Sequence, residues 1–264
     1  MLTPGGIDTG VPSPARVYDC LLGGKDHYES DRRAAARLLE IVPSMRLSAT
    51  QNRAFLGRAV QYLAGEVGIR QFLDIGTGLP TQDNVHDVAQ RIAPSSRIVY
   101  VDNDAVVLAH ARALLTSTPE GATDYLDADL RDPDAILEHA SRTLDLDRPV
   151  ALLLVAVLHF VPDADDPRGI VSALLDRLVP GSYLVISHGG SDADPRKAAE
   201  ATGVYRRHAP DALLSLRTES EVARFFDGLD LVEPGLGSIA HWRPAGPIPS
   251  AEQVGMHGGV ARKP

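Results

Sequence analysis

Apolar positions along the chain change period near residue 70. Before it they recur three and four residues apart, the spacing of one helix face. Residues 16–22 form a short amphipathic segment that stops at Gly23-Gly24. Residues 28–41 form a longer one, acidic early and arginine-bearing later, closed by Pro43. Ser48-Ala49-Thr50-Gln51 has the form of a capping box, and Phe55, Leu56, Ala59, Val60 and Leu63 then mark one face. Beyond residue 70, short apolar runs alternate with helical patterns. Strands are expected at 71–75, 97–101, 123–126, 150–157 and 183–187, with helices at 84–92, 105–115, 134–144 and 169–178. The fourth run is apolar almost without a break, as in a strand buried on both faces. The alternation predicts a parallel sheet with right-handed crossovers, an α/β fold.

The pattern changes again towards the end. Residues 196–208 read as a helix, and Thr218-Glu219-Ser220-Glu221 as a second capping box opening a helix through Phe226. Residues 229–234 and 238–242 read as two strands with Gly235-Leu236-Gly237 at the bend, an antiparallel hairpin closing the sheet. Residues 244–264 read as a Pro- and Gly-rich tail.

Composition narrows the function classes. A chain of 264 residues with 44% apolar and 23% charged positions suits one large globular domain, or one domain with a helical appendage. The net charge of −9 argues against a general nucleic-acid binder, and the arginines are dispersed among acids. The single cysteine, Cys20, excludes an internal disulfide and fits a reducing cytoplasm, the expected location. The N-terminus is Gly- and Pro-rich, unlike a signal peptide. The longest apolar run, 150–158, is too short to cross a bilayer, so no membrane partner is expected.

Candidate chemistry gathers where the first strand ends, at Asp74-Ile75-Gly76-Thr77-Gly78-Leu79-Pro80-Thr81. Two glycines there let a ligand approach the backbone closely, and a helix start behind them offers N–H groups. Three acids fall beyond strand ends, where open parallel sheets bind ligands: Asp74 at strand one, Asp102 at strand two and Asp129 just past strand three. A carboxylate at the end of strand two can accept both hydroxyls of a ribose. One past strand three can accept from an adenine amino group. Any one of them alone reads as a helix cap or loop acid; together they favour a nucleoside site. No Gly-x4-Gly-Lys-Ser/Thr occurs, Thr81 stands where a dinucleotide fingerprint has its third Gly or Ala, and Pro80 removes a donor from the turn. The turn therefore favours a ligand without phosphates.

His159, after strand four, and His188, after strand five, are candidate general bases; each also has a structural reading. Asp163, Asp165 and Asp166 read as a solvated loop and a helix start rather than a cation site, and no zinc-type histidine pair occurs, so no metal is expected.

Asp74-Ile75-Gly76-Thr77-Gly78, Asp102, Ala128-Asp129-Leu130 and Leu158-His159-Phe160-Val161-Pro162-Asp163 resemble the motifs of class I S-adenosylmethionine-dependent methyltransferases. The stretches at 14–19, 21–28, 52–56, 76–81 and 258–264 are similar to those of an actinobacterial S-adenosyl methyltransferase family once classed as a domain of unknown function. The resemblance runs from about Ser13 to the C-terminus. It implies a Rossmann-like seven-stranded sheet in the order 3-2-1-4-5-7-6 with strand seven antiparallel. The organisation expected is a flexible arm over 1–13, an N-terminal helical lid over 14–68, a cofactor-binding core over 69–244 and a tail over 245–264 packing near the site.

By motif, Asp74, Gly76, Thr77 and Gly78 are expected along the methionine part of S-adenosylmethionine or its product S-adenosylhomocysteine. Asp102 and Asn103 are expected at the ribose, Asp129 and the Leu130 backbone at the adenine, and Val155 and Ala156 at the amino-acid end. Lys25 or Asp26, between two helical segments, is expected to reach the cofactor. The implied reaction is in-line methyl transfer to an oxygen or nitrogen of a small, partly apolar acceptor. Tyr28, Tyr205, Phe225, Phe226 and Trp242 are candidates to wall its pocket, though Phe225 and Phe226 read better as packing. The rival readings are a non-catalytic regulator that binds the same cofactor and, on a similar sheet, a nicotinamide-dependent oxidoreductase. A homodimer is left open.

Overall fold

The structure, a computed structural model, describes residues 8–81, 83–114, 116–208 and 213–264. Of the expected flexible arm, residues 1–7 lie outside the described residues, as do Gln82 of the first turn and Leu115 at the end of an expected helix.

Among the described residues three α-helices precede the sheet, α1 (Pro14–Leu22), α2 (Glu29–Ile41) and α3 (Met45–Tyr62), the last continued by a π-helical turn over Leu63–Val67. Ser13 caps α1, and Gly23 ends it in the left-handed region at φ 80°. The capping box expected at 48–51 is not a helix start. Helix α3 begins one turn earlier, and the Ser48 and Thr50 hydroxyls donate back to the Ser44 and Arg46 carbonyls. A hydroxyl inside a helix satisfies itself on the preceding turn, which leaves the same residue pattern as a cap.

The sheet strands follow: β1 (Gln71–Ile75), β2 (Arg97–Asp102), β3 (Ala122–Asp127), β4 (Ala151–Val155) and β5 (Tyr183–Gly189), all parallel. Between them run α4 (Val85–Ile92), α5 (Ala105–Leu114), α6 (Pro133–Ala140) and α7 (Pro167–Asp176), and then come α8 (Pro195–His208) and α9 (Glu219–Ala223). The Thr218 capping box forms as expected at α9.

The chain ends with β6 (Asp230–Leu231), β7 (Gly237–Ser238), α10 (Ala251–Val254) and β8 (Met256–Arg262). The strand order is β3-β2-β1-β4-β5-β8-β6, with β7 also on β8. The expected order of seven places and the antiparallel seventh strand are present, but the sheet counts eight strands and the seventh place is filled from elsewhere. The hairpin expected over 229–242 does not form. Its halves shrink to β6 and β7, and both pair with β8, the strand hidden in the supposed tail. Strand β8 pairs over seven residues with β5. Its sequence, Met-His-Gly-Gly-Val-Ala-Arg, shows no clean alternation because glycine is needed inside it. A Cβ on Gly258 would stand 2.6 Å from Ile239 Cγ2 and 2.8 Å from the Ile186 carbonyl oxygen.

Two apolar clusters cover the two faces of the sheet. One joins Leu73, Val99, Leu152 and Leu184 to α6 and α7; the other joins Phe72, Ile98, Leu153 and Val185 to α3, α4 and Trp242. A third, smaller cluster is made by α1, α2, Ala49 of α3 and α8, so α8 closes on the N-terminal helices. None of the described helices is long and apolar enough to cross a membrane.

The crowding at Gly258 makes the position of β8 testable. Gly258→Ala is expected to destabilise the fold by about 1–3 kcal/mol through overpacking, read as a lower urea midpoint with unchanged slope. An unchanged midpoint would mean that the last strand lies outside the sheet.

Candidate functional site

The carboxyl ends of β1 and β2 each carry a buried acid. Asp74 lies in a strand buried along its whole length, and its carboxylate accepts the Thr77 hydroxyl at 3.1 Å. Burial raises its pKa to about 7; the Thr77 hydrogen bond and the Arg53 charge oppose the shift, and the Asp102 charge adds to it. Asp102 accepts the Gly78 N–H and the Asp104 N–H, each at 2.9 Å, on its two oxygens. Burial raises it to about 6 against those hydrogen bonds.

The turn between the two acids needs both glycines, for different reasons. Gly76 has φ 74°, donates to the Val101 carbonyl at 2.8 Å, and a Cβ there would stand 2.4 Å from Val157 Cγ2. Gly78 has φ 67°, and nothing stands within 4 Å of where its Cβ would be, so the backbone is open to a ligand. Two desolvated carboxylates beside an open glycine repel phosphates and suit an ammonium group and sugar hydroxyls. The residues present therefore fit the expected cofactor.

Past β3, Asp129 is about two-fifths exposed, but its carboxylate is already engaged. It accepts the Arg131 N–H at 2.9 Å, the Arg131 guanidinium at 2.9 Å and the amide of the exposed Asn103 at 3.3 Å. The Leu130 side chain is buried in the core.

At the end of β4, Val155 is buried and Ala156 takes φ 57°, a left-handed conformation that costs a residue with a Cβ. A polar chain holds it there. The Ala156 N–H donates to the Ser187 carbonyl at 3.1 Å and to Ser187 Oγ at 2.9 Å. The Ser187 hydroxyl donates to Asn52 Oδ1 at 2.5 Å, the Asn52 amide donates to the Tyr18 oxygen at 2.9 Å, and the Tyr18 hydroxyl donates to the Ala49 carbonyl at 3.0 Å. Helices α1 and α3 are thereby wired to the loop beside the site. Sequence reasoning gave no role to Tyr18, Asn52 or Ser187. Tyr18 and Asn52 stood inside two quoted stretches, which was the available signal; nothing marked Ser187.

The N-terminal segment lies across the loops that follow β1 and β2. The Ser13 hydroxyl bonds to the Asp104 carboxylate, Asp26 Oδ1 pairs with His110 of α5 at 3.3 Å, and Tyr28 packs with Leu79, Val106 and Val107. Asp31, fully buried, accepts the Ser13 and Tyr28 N–H groups at 3.0 and 2.8 Å and pairs with Arg16 at 3.0 Å. Lys25 and Asp26 are exposed.

The two histidines depart from the general-base expectation. His188 is fully buried; its Nδ1–H donates to the Gly189 carbonyl at 2.9 Å and its Nε2 accepts from Arg217 at 2.9 Å. Burial first, with the Arg217 charge adding, lowers its pKa to about 4. With both nitrogens used, His188 locks the loop rather than taking a proton. Nδ1 of His159 accepts the Gly189 N–H at 3.3 Å, and burial, with His188 and Arg217 beside it, holds the ring well below its usual pKa. A neutral ring that accepts at Nδ1 carries its proton on Nε2 and is a donor there.

Three of the aromatics offered as pocket walls are core residues: Phe225 and Phe226 pack under the sheet, and Trp242 packs against Phe55 and Tyr62. Tyr205 of α8 reaches the Phe160 ring, 5.5 Å between centroids, and Phe160 in turn lies 4.5 Å from His159. Asp163 pairs with Arg217 and Asp165 with Arg131, while Asp166 caps α7. Among the described residues no group of three or more His, Cys, Asp or Glu side chains is arranged to hold a metal ion. Two open surface depressions, one beside Asp192 and Glu219 and one along α4 at His86 and Gln90, include none of the residues expected at the cofactor.

Comparison with known proteins bears on this geometry. Residues 2–264 match the model of a family described as S-adenosyl methyltransferase. The solved structure of a DUF574 family protein from Streptomyces avermitilis MA-4680 is 45% identical, with a TM-score of 0.93 over 97% of this chain and 99% of that one. A protein of Thermobifida fusca YX is 41% identical, with a TM-score of 0.90 over 98% of each chain. The N-methyltransferase NodS from Bradyrhizobium japonicum WM9, solved with S-adenosyl-L-homocysteine, shares the fold at 16% identity and a TM-score of 0.50 over 94% of this chain and 99% of that one. No curated protein matches the chain's sequence.

The raised pKa values have a consequence for stability. Above the unfolded value of 3.8 an unfolded chain loses these protons, whereas the folded chain keeps them to about 6 at Asp102 and about 7 at Asp74. The folded state binds more protons in that window, so the contribution of these groups to stability falls as pH rises from about 4 to about 7. Asp74→Asn removes the larger share. Urea midpoints at pH 5 and 7.5 are expected to fall more in the wild type than in the variant; parallel changes would contradict the raised Asp74 pKa.

Proposed function

The chain belongs to the S-adenosyl methyltransferase family, and on that premise we propose that it transfers a methyl group to an oxygen or nitrogen of a small, partly apolar molecule. S-adenosylmethionine supplies an activated methyl group on sulfur, so the protein's tasks are binding, alignment and exclusion of water. The observation that carries the reading is the pair of buried carboxylates, Asp74 and Asp102, at adjoining strand ends beside the open Gly78.

In this reading Asp74 holds the cofactor's ammonium group, with Gly76, Thr77, Val155 and Ala156 along the methionine part. Asp102 and Asn103 take the ribose hydroxyls, and the Leu130 backbone and Asp129 take the adenine edge. Asp129 then shares its oxygens with Arg131 or exchanges that contact for the ligand. Lys25 and Asp26 approach from the segment that spans the loops after β1 and β2. The acceptor lies towards Phe160 and Tyr205, with the His159 Nε2–H offered to an oxygen of it. Because His188 and His159 both keep their basic lone pairs occupied, the acceptor group best suited is one already nucleophilic near neutral pH, an amine or an acidic hydroxyl.

Calorimetry tests the cofactor. S-adenosylmethionine and S-adenosylhomocysteine are expected to bind and NAD is not. Asp102→Ala is expected to weaken binding by roughly 2–4 kcal/mol through loss of charge-assisted hydrogen bonds. Equal binding of NAD, or unchanged affinity in a folded Asp102→Ala protein, would reject the site.

Turnover tests the reaction. A panel of small amines and phenols is expected to yield a methylated product with the wild type. Cofactor binding without turnover on such a panel supports the regulator reading instead, and methyl transfer to RNA would reject the small acceptor.

A further inference from the structure

Arg217 stands two residues before α9 and is 6% exposed, a guanidinium inside the fold. A guanidinium has five N–H groups and no acceptor, and here all five are used. Nε donates to Asp163 Oδ1 at 3.2 Å. Nη1 donates to the Leu158 carbonyl at 3.1 Å and to His188 Nε2 at 2.9 Å. Nη2 donates to the Val161 carbonyl at 2.9 Å and to Asp163 Oδ1 at 2.6 Å. Leu158, Val161 and Asp163 belong to the loop after β4 and His188 to β5, so one side chain ties two neighbouring strand ends together. The Arg217 backbone adds to this by donating to the Gly189 carbonyl at 3.2 Å.

The bond to His188 sets a direction. Arginine keeps its protons, so it only donates and His188 Nε2 only accepts. The His188 proton then sits on Nδ1 and goes to the Gly189 carbonyl at 2.9 Å, a second partner that requires the same tautomer. Gly189 gives its own N–H to His159 Nδ1 at 3.3 Å, and the His159 carbonyl accepts the Ser215 N–H at 2.7 Å. Burial, with the Arg217 charge beside it, keeps both rings uncharged near neutral pH. His257 of β8 and Glu221 of α9 also act on His188, with opposite signs. The His159 proton is left on Nε2, which has no partner among the described residues. The Phe160 ring beside it leads to Tyr205 of α8.

We propose that Arg217 is a positioning residue that fixes His159 as a hydrogen-bond donor, and that the site thereby selects methyl acceptors presenting an oxygen lone pair. Phenolates, enolates and amines that also bear a carboxylate are of this class. The selectivity rests on the acceptor position proposed above. A donor favours an ionised oxygen over the protonated one, so an acidic hydroxyl is met in its nucleophilic form although neither ring takes its proton. An ammonium group, which has only donors, finds no partner in His159.

The test reads the histidine nitrogens by long-range proton–nitrogen NMR on nitrogen-15-labelled protein, the two rings being assigned by their loss in His159→Gln and His188→Gln. In the wild type His159 is expected to carry its proton on Nε2 and His188 on Nδ1, both unchanged from pH 6 to 8. His159 protonated on Nδ1, or titrating in that range, would overturn the proposal without any Arg217 variant. Arg217→Met is expected to release His188 into mixed tautomers, whereas Arg217→Lys, which keeps the charge and a donor, is expected to hold it. A folded Arg217→Met protein with both rings unchanged would overturn the role of Arg217. In turnover, phenols and carboxylate-bearing amines are expected to exceed amines without oxygen by roughly 10-fold in kcat/KM. Equal values for the two sets would overturn the selectivity. The expected tautomers without turnover on either set would remove the acceptor role together with the reading it rests on.

Discussion

Burying two carboxylates side by side at the edge of a sheet is the constraint on which the rest of this structure turns. Each costs solvation, and each is only partly repaid inside the protein: Asp74 by the Thr77 hydroxyl, Asp102 by the N–H groups of Gly78 and Asp104. The turn between them must present backbone N–H groups inward and leave room outward. Glycine at 76 and 78 meets that demand at left-handed φ. The cost left unpaid is what a ligand with an ammonium group and hydroxyls can recover, so the site is least content when empty.

The N-terminal helices belong to the same economy of polar groups. They do not rest on the sheet by apolar contact alone. Asp31 gathers Arg16 with the N–H groups of Ser13 and Tyr28, and Ser13 reaches the Asp104 loop. The Tyr18, Asn52, Ser187 and Ala156 chain joins helices α1 and α3 to the β4 loop through four hydrogen bonds, counting the Tyr18 donation to Ala49. Movement of these helices and the geometry at Ala156 are therefore coupled through particular atoms. Helix α8, which closes on α2 and carries Tyr205 to Phe160, shares the same packing cluster.

Much of the fold was legible in the residues. Four of the five parallel strands announce themselves because buried strands are rich in apolar residues, and the acids at the ends of β1 and β2 stand out against them; β3, at the edge of the sheet, is half-exposed and more polar. The last strand was not legible, because β8 needs glycine where β5 and Ile239 crowd it, and glycine reads as loop. The internal hydroxyls of α3 imitate a cap for a similar reason: Ser and Thr bond the backbone in either setting. The two histidines could be read either as bases or as structural residues, because their motif position is visible in the sequence while their partners, Arg217 and the Gly189 backbone, are brought to them only by the fold. Asn52 and Arg53 could be noticed as part of a motif, but their directions depend on how α3 crosses the sheet.

Proton exchange on cofactor binding tests the central account most directly, since it reports on the buried acids themselves. S-adenosylhomocysteine titrated near pH 6.5 in buffers of different ionisation enthalpy should release a fraction of a proton per site, because a bound ammonium favours ionised Asp74, whose pKa in the empty site is about 7. Binding with no proton exchange, or with proton uptake, would contradict the claim that burial raises the Asp74 pKa to about 7.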